Sequence, residues 1–286
     1  MVEGEGTGLP VRAIEIAGGL AVAYAGWLLA SMGAMVTRVT CPASPPEKDD
    51  PHGWAVETLA EGKTGVSLES SDSLERLAGE ADILVCDAPE VLESLVGPLP
   101  EFRRRFPALH LGVASIYGLE GPYAGCVGTE LDAQAMSGMA WALGEPGRSP
   151  LSLPPGVLAH QSGAALAAGC LAAVLMRPRG GELVDVALTD VLASYVAGNC
   201  RFYVHHGLSW ARSGRRASGS GGAYPFVILP CKDGDVCICG RTREEWQRLV
   251  KAMGNPAWAG EARYQRLRAM GQEYPCLLYT SPSPRD

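Results

Sequence analysis

The sequence predicts an α/β protein, with a Rossmann-like open parallel sheet and flanking helices followed by a smaller, incomplete α+β domain. Three observations carry that reading. Short apolar strands alternate with segments of helical length from residue 11 onward. A glycine- and serine-rich stretch, SGRRASGSGGAYP (213 to 225), breaks the rhythm. Beyond it the pattern is that of a hairpin and one helix.

The elements follow in order. VRAIEI (11 to 16) alternates and runs into Gly18-Gly19, a strand entering a tight loop. LAVAYAGWLLASM has helical length, and Gly33 supplies its stop. MVTRVT is a second strand, completing a strand-loop-helix-strand unit. The loop AGGLAV lacks the spacing of GxGxxG, so no dinucleotide fingerprint is present. ADILVCD (81 to 87) is a strand, PEVLESLVG and LPEFRRRF are helices, and residues 110 to 115 of LHLGVAS are another strand. ELDAQAMSGMAWAL (130 to 143) reads as one helix, followed by the proline-rich LSLPPG and the uncharged stretch VLAHQSGAALAAGCLAAVL. GELVDVAL (181 to 188) returns as a strand, and TDVLASYVAG as a helix with Thr189 or Asp190 near its cap.

In FVILPCKDGDVCICG the hairpin turn falls at Lys232 to Gly234. RTREEWQRLVKAMG is a helix with Thr242 and Glu245 as its capping box. The expected division is a flexible N-terminus (1 to 10), a large domain (11 to 222), the start of a small domain (223 to 275) and a tail (276 to 286). The tail, CLLYTSPSPRD, has the character of translated adaptor sequence and is set aside; the natural chain is expected to continue further.

Composition narrows the function classes. With 47% hydrophobic and 19% charged residues among 286, disorder is excluded and a sizeable core is expected. A net charge of -7 argues against nucleic-acid binding, which rests on phosphate neutralisation. The basic run Arg103 to Arg105 reads as a solvated helix face. Nine cysteines are scattered without pairing signs. Cys231, Cys237 and Cys239 cluster, but VCIC alternates as a strand does, and no metal is expected. The acidic N-terminus has no apolar stretch, so a reducing cytoplasm is expected. Residues 16 to 37 and 151 to 176 carry no formal charge and are long enough to span a bilayer. Four glycines break the first, while Pro154, Pro155, His160, Gln161 and Ser162 interrupt the second; neither is expected in a membrane.

Several side chains have the right chemistry for a site. His160 has an imidazole suited to general base work; equally, it suits a polar residue hydrogen-bonded in the first turn of a buried helix. Glu130 and Asp132 are acids at a helix start, where they also stabilise the helix dipole. Arg212, Arg215 and Arg216 suit an anion clamp or a solvated linker. His52, His205 and His206 read as surface residues.

Taken together and in order, five stretches resemble the family III CoA-transferases, the group of formyl-CoA and carnitine CoA-transferases and 2-methylacyl-CoA racemases. They are VRAIEIAGGLAVAYAGWLLASMGAMVTRV, ADILV with its following helix, GPYAGCVGTELDAQAMSGMAWALGEPG, LAAGCLAAVLMRPRGGELVDVALTDVLASY, and YPFVILPCKDGDVCICGRTREEWQRLVKAMGNP. The resemblance implies a CoA-thioester-binding large domain, a smaller domain and two ring-shaped subunits interlocked as a dimer. It implies an aspartate that attacks the thioester, giving a mixed anhydride and then an aspartyl-CoA thioester. On the family pattern that aspartate falls at Ala159, or at His160 with a slip of one, and neither is a carboxylate. Glu130 matches the acid of the racemases' histidine-aspartate pair, with Thr129 in place of the base.

Ala21-Val22-Ala23 replaces the family's alanine-glycine-proline turn; at the end of the second strand Arg38 keeps the family's base while Thr40 replaces the acid. CDAPE replaces its asparagine-aromatic-arginine-proline-glycine segment. The resemblance therefore implies transfer of CoA between an acyl-CoA and a carboxylic acid, with Glu130 or His160 covering for the aspartate. Ala21, Arg38, Arg215 and Arg216 would hold coenzyme A. The partner would be a second copy or an aspartate-bearing homologue. The alternative is a non-catalytic CoA-thioester-binding subunit, or half of a heteromeric or fused enzyme.

Overall fold

The computed structural model describes residues 10–16, 19–40, 53–68, 71–87, 89–176, 180–207, 212, 214–215, 225–240 and 242–265. Its chain divides into two compact units, Met1–Ser137 with Leu153–Tyr195, and Gly138–Ser152 with Val196–Asp286.

In the first unit, β1 (Arg12–Ile16) leads to α1 (Leu20–Ser31) and β2 (Met35–Thr40). Then come α2 (Gly53–Thr58), β3 (Thr64–Ser67), α3 (Ser71–Glu80) and β4 (Ile83–Cys86). After α4 (Pro89–Val96), α5 (Leu99–Arg105) and β5 (His110–Ser115), α6 (Glu130–Met136) begins. The long α8 (Val157–Met176), β6 (Leu183–Ala187) and the start of α9 (Leu188–His206) follow; α7 (Met139–Ala142) and α9 from Val196 onward are counted in the second unit. All six strands pair in parallel, in the order β3-β2-β1-β4-β5-β6.

Strand alternation sorts the sheet's two faces. Ile14, Ile16, Leu84, Leu111 and Val113 join Leu74, Leu92 and Phe102 of α3, α4 and α5 in one core cluster. The intervening positions, among them Glu15 and Gly112, meet α1 and α8. Small residues make that second layer possible. A Cβ at Gly163 would stand 2.3 Å from the Ala21 carbonyl oxygen, one at Gly112 2.6 Å from the Cys170 sulfur, and one at Gly169 2.6 Å from Val184. Helix α8 has the length and composition of a membrane span. Its buried residues, including Leu158, Leu166 and Cys170, instead belong to a face packed on α1, β5 and β6. Each buried leucine there contributes roughly 1.5–3 kcal/mol.

Three local expectations are corrected. The helix expected over 130 to 143 is broken, because Gly138 sits at φ 81°, a left-handed conformation that ends α6 and starts α7. Thr189 does not cap α9, which starts directly after β6; its hydroxyl donates to the Ile116 carbonyl at 2.8 Å. The basic run of α5 is not simply solvated, since Arg105 pairs with Glu75 and Arg103 donates to the Gly181 carbonyl at 3.3 Å. The edge strand β3 and helices α2 and α3 were not marked by sequence pattern; β3 is short and mostly exposed, so it carries no apolar run.

The second unit holds the antiparallel hairpin of β7 (Phe226–Cys231) and β8 (Gly234–Cys239), then α10 (Arg243–Ala252) and two 3-10 turns. The capping box of Thr242 and Glu245 is formed as the sequence predicts. Val227, Trp246 and Tyr264 make its small core. Hairpin register pairs Cys231 with Gly234 but Cys237 with Ile228, so Cys231 lies on the opposite face from Cys237 and Cys239.

Candidate functional site

Strand order reverses between β1 and β4, and open α/β sheets take ligands at such a switch point, beyond the carboxyl ends of the strands. Two residues meet there. Asp87 follows β4, and Gly19 leads into α1. Their approach is close enough that a Cβ at Gly19 would overlap the Asp87 carboxylate, and Asp87 accepts the Gly19 N–H. Burial pushes the Asp87 carboxyl up to about 6, against the opposing pull of those backbone donors.

Beneath α1 lies a second carboxylate. Glu15 on β1 is fully buried, with the Lys63 ammonium at 2.5 Å and the Arg38 guanidinium at 3.8 Å. Lys63 also donates to the Ala23 carbonyl at 2.8 Å, tying β1, α1 and the start of β3 together. Burial raises Glu15 to about 7 despite these cations, and it lowers Lys63 from its usual range. Arg38 reaches Glu57 as well, at 3.6 Å, and keeps 17% of its side chain exposed. It is therefore largely committed inside the protein.

A third arrangement lies at the start of α8, which has no acid in its first turn. Its capping is borrowed from α6. The Glu130 carboxylate accepts the N–H groups of Gly156 and Ala159, each at 3.2 Å. One turn on, the buried Gln134 accepts the Leu153 N–H at 2.7 Å. The Thr129 and Asp132 capping box starts α6 itself and so holds both side chains in register; those hydrogen bonds hold Asp132 below its usual range. Sequence reasoning missed Gln134 and Gly156. The available signal was a long helix entered through Pro155-Gly156 with no capping residue of its own.

His160 sits in the same turn. Its Nδ1 lies 2.7 Å from the Gly156 carbonyl oxygen, and since a carbonyl only accepts, Nδ1 carries the proton. The ring also meets Tyr24 of α1 edge-on, with centroids 4.7 Å apart. Chemically, the first turn of α8 offers a carboxylate held in place by backbone donors, beside an imidazole held by the Gly156 carbonyl.

The predicted site residues thus separate. Glu130 and His160 come together at Gly156. Ala21 is buried in the first turn of α1, its carbonyl against Gly163 of α8. Arg38 lies apart from them in the Glu15 cluster. Arg215 belongs to the second unit and pairs with Asp235 at 2.5 Å. Arg216, Gly18, His52 and the tail from 276 lie outside the described residues. His205 is exposed. Among the described residues no group of three or more His, Cys, Asp or Glu side chains is placed to hold a metal ion.

A family model described as CoA-transferase family III matches residues 10–275. A probable fatty acyl-CoA transferase of Mycobacterium tuberculosis is 26% identical over 92% of this chain and 73% of its own length. The succinate–glutarate CoA-transferase of Agrobacterium fabrum is 27% identical over 91% of this chain and 69% of its own. A crystal structure of a CaiB/BaiF family protein from Brucella suis superposes with a TM-score of 0.75, at 23% identity, over 94% of this chain and 75% of that one, a likeness of fold.

Proposed function

The chain belongs to CoA-transferase family III, and from that premise we propose that it moves CoA between an acyl-CoA thioester and a carboxylic acid, with Glu130 as the reacting carboxylate. One observation carries the choice of residue. The Glu130 carboxylate is hydrogen-bonded to the amide of Ala159, the position at which the family resemblance puts the missing aspartate. A side chain from α6 thereby brings a carboxylate to the place where α8 has only a methyl group.

The step sequence balances without a redox partner. A Glu130 oxygen attacks the thioester carbonyl, the C–S bond breaks, CoA leaves as thiolate and a mixed anhydride forms. The thiolate then attacks the Glu130 carbonyl, releasing the first acid as its carboxylate and leaving a glutamyl-CoA thioester. An acceptor carboxylate reverses both steps and departs as the new acyl-CoA. Amides of the α8 first turn, vacated as Glu130 reacts, are donors for the oxyanion. His160 acts as a positioning residue through its hydrogen bond to Gly156. For coenzyme A itself, the supporting features are the first-turn amides around Ala21 and the Arg38 guanidinium, 17% of whose side chain is exposed. The acids handled by the Agrobacterium relative, succinate and glutarate, make dicarboxylic acids the first acceptors to assay. An interlocked homodimer, or alternatively a heteromer with an aspartate-bearing homologue, and a cytoplasmic setting complete the proposal.

The test is direct. Purified chain with succinyl-CoA and hydroxylamine should release CoA and gain a hydroxamate at residue 130, and Glu130→Gln should abolish both. A second reading has its own support, since both oxygens of Glu130 are already spent as a helix cap. In that reading the chain is a CoA-thioester-binding subunit whose partner supplies the aspartate. CoA binding by calorimetry with no hydroxylamine-dependent release, even at high protein concentration, would establish it and end the Glu130 mechanism.

A further inference from the structure

In the second unit one guanidinium is built into a platform without an acid to balance it. Arg212 lies with its Cζ 4.5 Å from the centre of the Trp141 ring, and its Nη1 donates to the Trp141 carbonyl at 2.9 Å. Its Nε is sealed from solvent and has no hydrogen-bond partner among the described residues. No carboxylate pairs with it among those residues, whereas Arg215, three positions on, is taken by Asp235. Gly214 donates to the Gly144 carbonyl at 3.0 Å, and Gly144 (φ 113°) and Gly214 (φ 61°) both adopt conformations that favour glycine. A Cβ at Gly144 would press within 3.3 Å of the Arg212 Cδ, so the arginine stem is fitted against a residue that has none. One acid is near: Glu145 rests its carboxylate against Gly214, exposed, with no ion pair to Arg212.

The Nε of Arg212 is a sealed donor without a partner among the described residues, and one carbonyl and one indole face use little of the five-donor fork. The Trp141 ring face and carbonyl together hold the guanidinium in place, which is the preorganisation that bidentate oxyanion recognition needs. We propose that Arg212 is an oxyanion-binding residue, taking a carboxylate or phosphate on the guanidinium edge that Trp141 leaves open. The sequence offered Arg212, Arg215 and Arg216 together as an anion clamp; of the two that are described, Arg215 pairs with Asp235 and Arg212 lies over the Trp141 ring without an acid. The identity of the anion, though not the site, rests on the CoA-transferase reading, which supplies two sources: the carboxylate of a dicarboxylic acid and the 3′-phosphate of CoA.

Calorimetric titration of the whole chain with succinate, CoA and dephospho-CoA tests this without turnover. Arg212→Gln should weaken one of these ligands on the order of tenfold or more, the scale of a lost charge-assisted pair. Arg212→Lys, which keeps the charge but not the fork, should weaken it less and serves if the glutamine variant fails to fold. Loss confined to succinate assigns the carboxylate. Loss for CoA with dephospho-CoA unchanged assigns the 3′-phosphate. Unchanged affinity for all three in both variants overturns the proposal and leaves the family reading standing. Conversely, an anion affinity lost with Arg212 in a chain that never releases CoA to hydroxylamine upholds the site while the Glu130 mechanism fails.

Discussion

Glu130 and His160 grip the same residue from opposite ends: the carboxylate takes the N–H of Gly156, and the imidazole gives its Nδ1 hydrogen to the Gly156 carbonyl. Gly156 itself has φ 82°, so the peptide they hold is one that favours glycine. The entry to α8 is therefore set by side chains from α6 and from α8's own first turn, rather than by a capping residue in sequence. Chemistry and helix capping compete for the same carboxylate.

Glu130→Ala should remove both acceptors and destabilise the chain by about 1–2 kcal/mol, the usual size of a lost cap. Glu130→Gln keeps an acceptor oxygen and should lose less. Thermal melts separate the two variants, while hydroxylamine-dependent CoA release should be absent from both. A glutamine variant with wild-type release would remove Glu130 from the chemistry and leave it a cap.

Gly163→Ala is expected to be costly, because its Cβ would meet the Ala21 carbonyl oxygen at 2.3 Å and the Ala25 nitrogen at 3.2 Å. Backbone cannot rotate away as a flexible side chain would. The loss should be about 1–3 kcal/mol by urea denaturation. Alanine at Gly97 meets no atom within 4 Å and pays only for its φ of 82°, so it is the control for backbone strain alone.

Lys63→Met should be among the most damaging single changes in the first unit. The ammonium is 1% exposed and Glu15 is not exposed at all, so its removal leaves a buried carboxylate without its nearest cation. A loss of about 3–5 kcal/mol is expected near neutral pH. Glu15 is already raised to about 7, well above its ordinary value of 4.5. The folded state therefore binds its proton more readily than the unfolded chain, and stability falls as pH rises through that window. Lowering the pH from 7.5 to 5 should recover much of the variant's loss, and Glu15→Leu with Lys63→Met should be more stable than Lys63→Met alone.

Asp87 predicts a second pH signature. Its folded value of about 6 lies above its ordinary 3.8, so its contribution is fully favourable below about 4 and is lost as pH rises through 6. Asp87→Asn should flatten the stability profile between those limits by on the order of 1–3 kcal/mol. Parallel slopes for wild type and variant in chemical denaturation at stepped pH would show that Asp87 is not desolvated as its surroundings imply.

Much of the architecture could be read locally. β2 falls on MVTRVT, β5 on residues 110 to 115, and the hairpin and the Thr242 capping box lie where alternation and turn residues put them. Those features depend on neighbours within a few positions, which periodicity reports. The break at Gly138 was less legible, because a glycine inside a helical pattern announces a left-handed turn only when the chain has somewhere to go. The edge strand β3 had no signal for the opposite reason, since exposed edges need no apolar run.

The uncharged run from 157 shows the division most plainly. Sequence alone determined that it is a helix of small residues, that it carries His160, and that it has no carboxylate at 159 or 160. Only the tertiary structure decided that its apolar face lies on α1 and the sheet, and that a carboxylate arrives at its first turn from 26 residues earlier. The same holds for Glu15 and Lys63, paired across 48 residues under a helix that separates them in the chain. Hydrophobic period and turn chemistry are short-range and leave their mark in the string of residues. The meeting of polar groups depends on which distant segments pack together, and that is settled by burial, where an ion must find its partner or lose its charge.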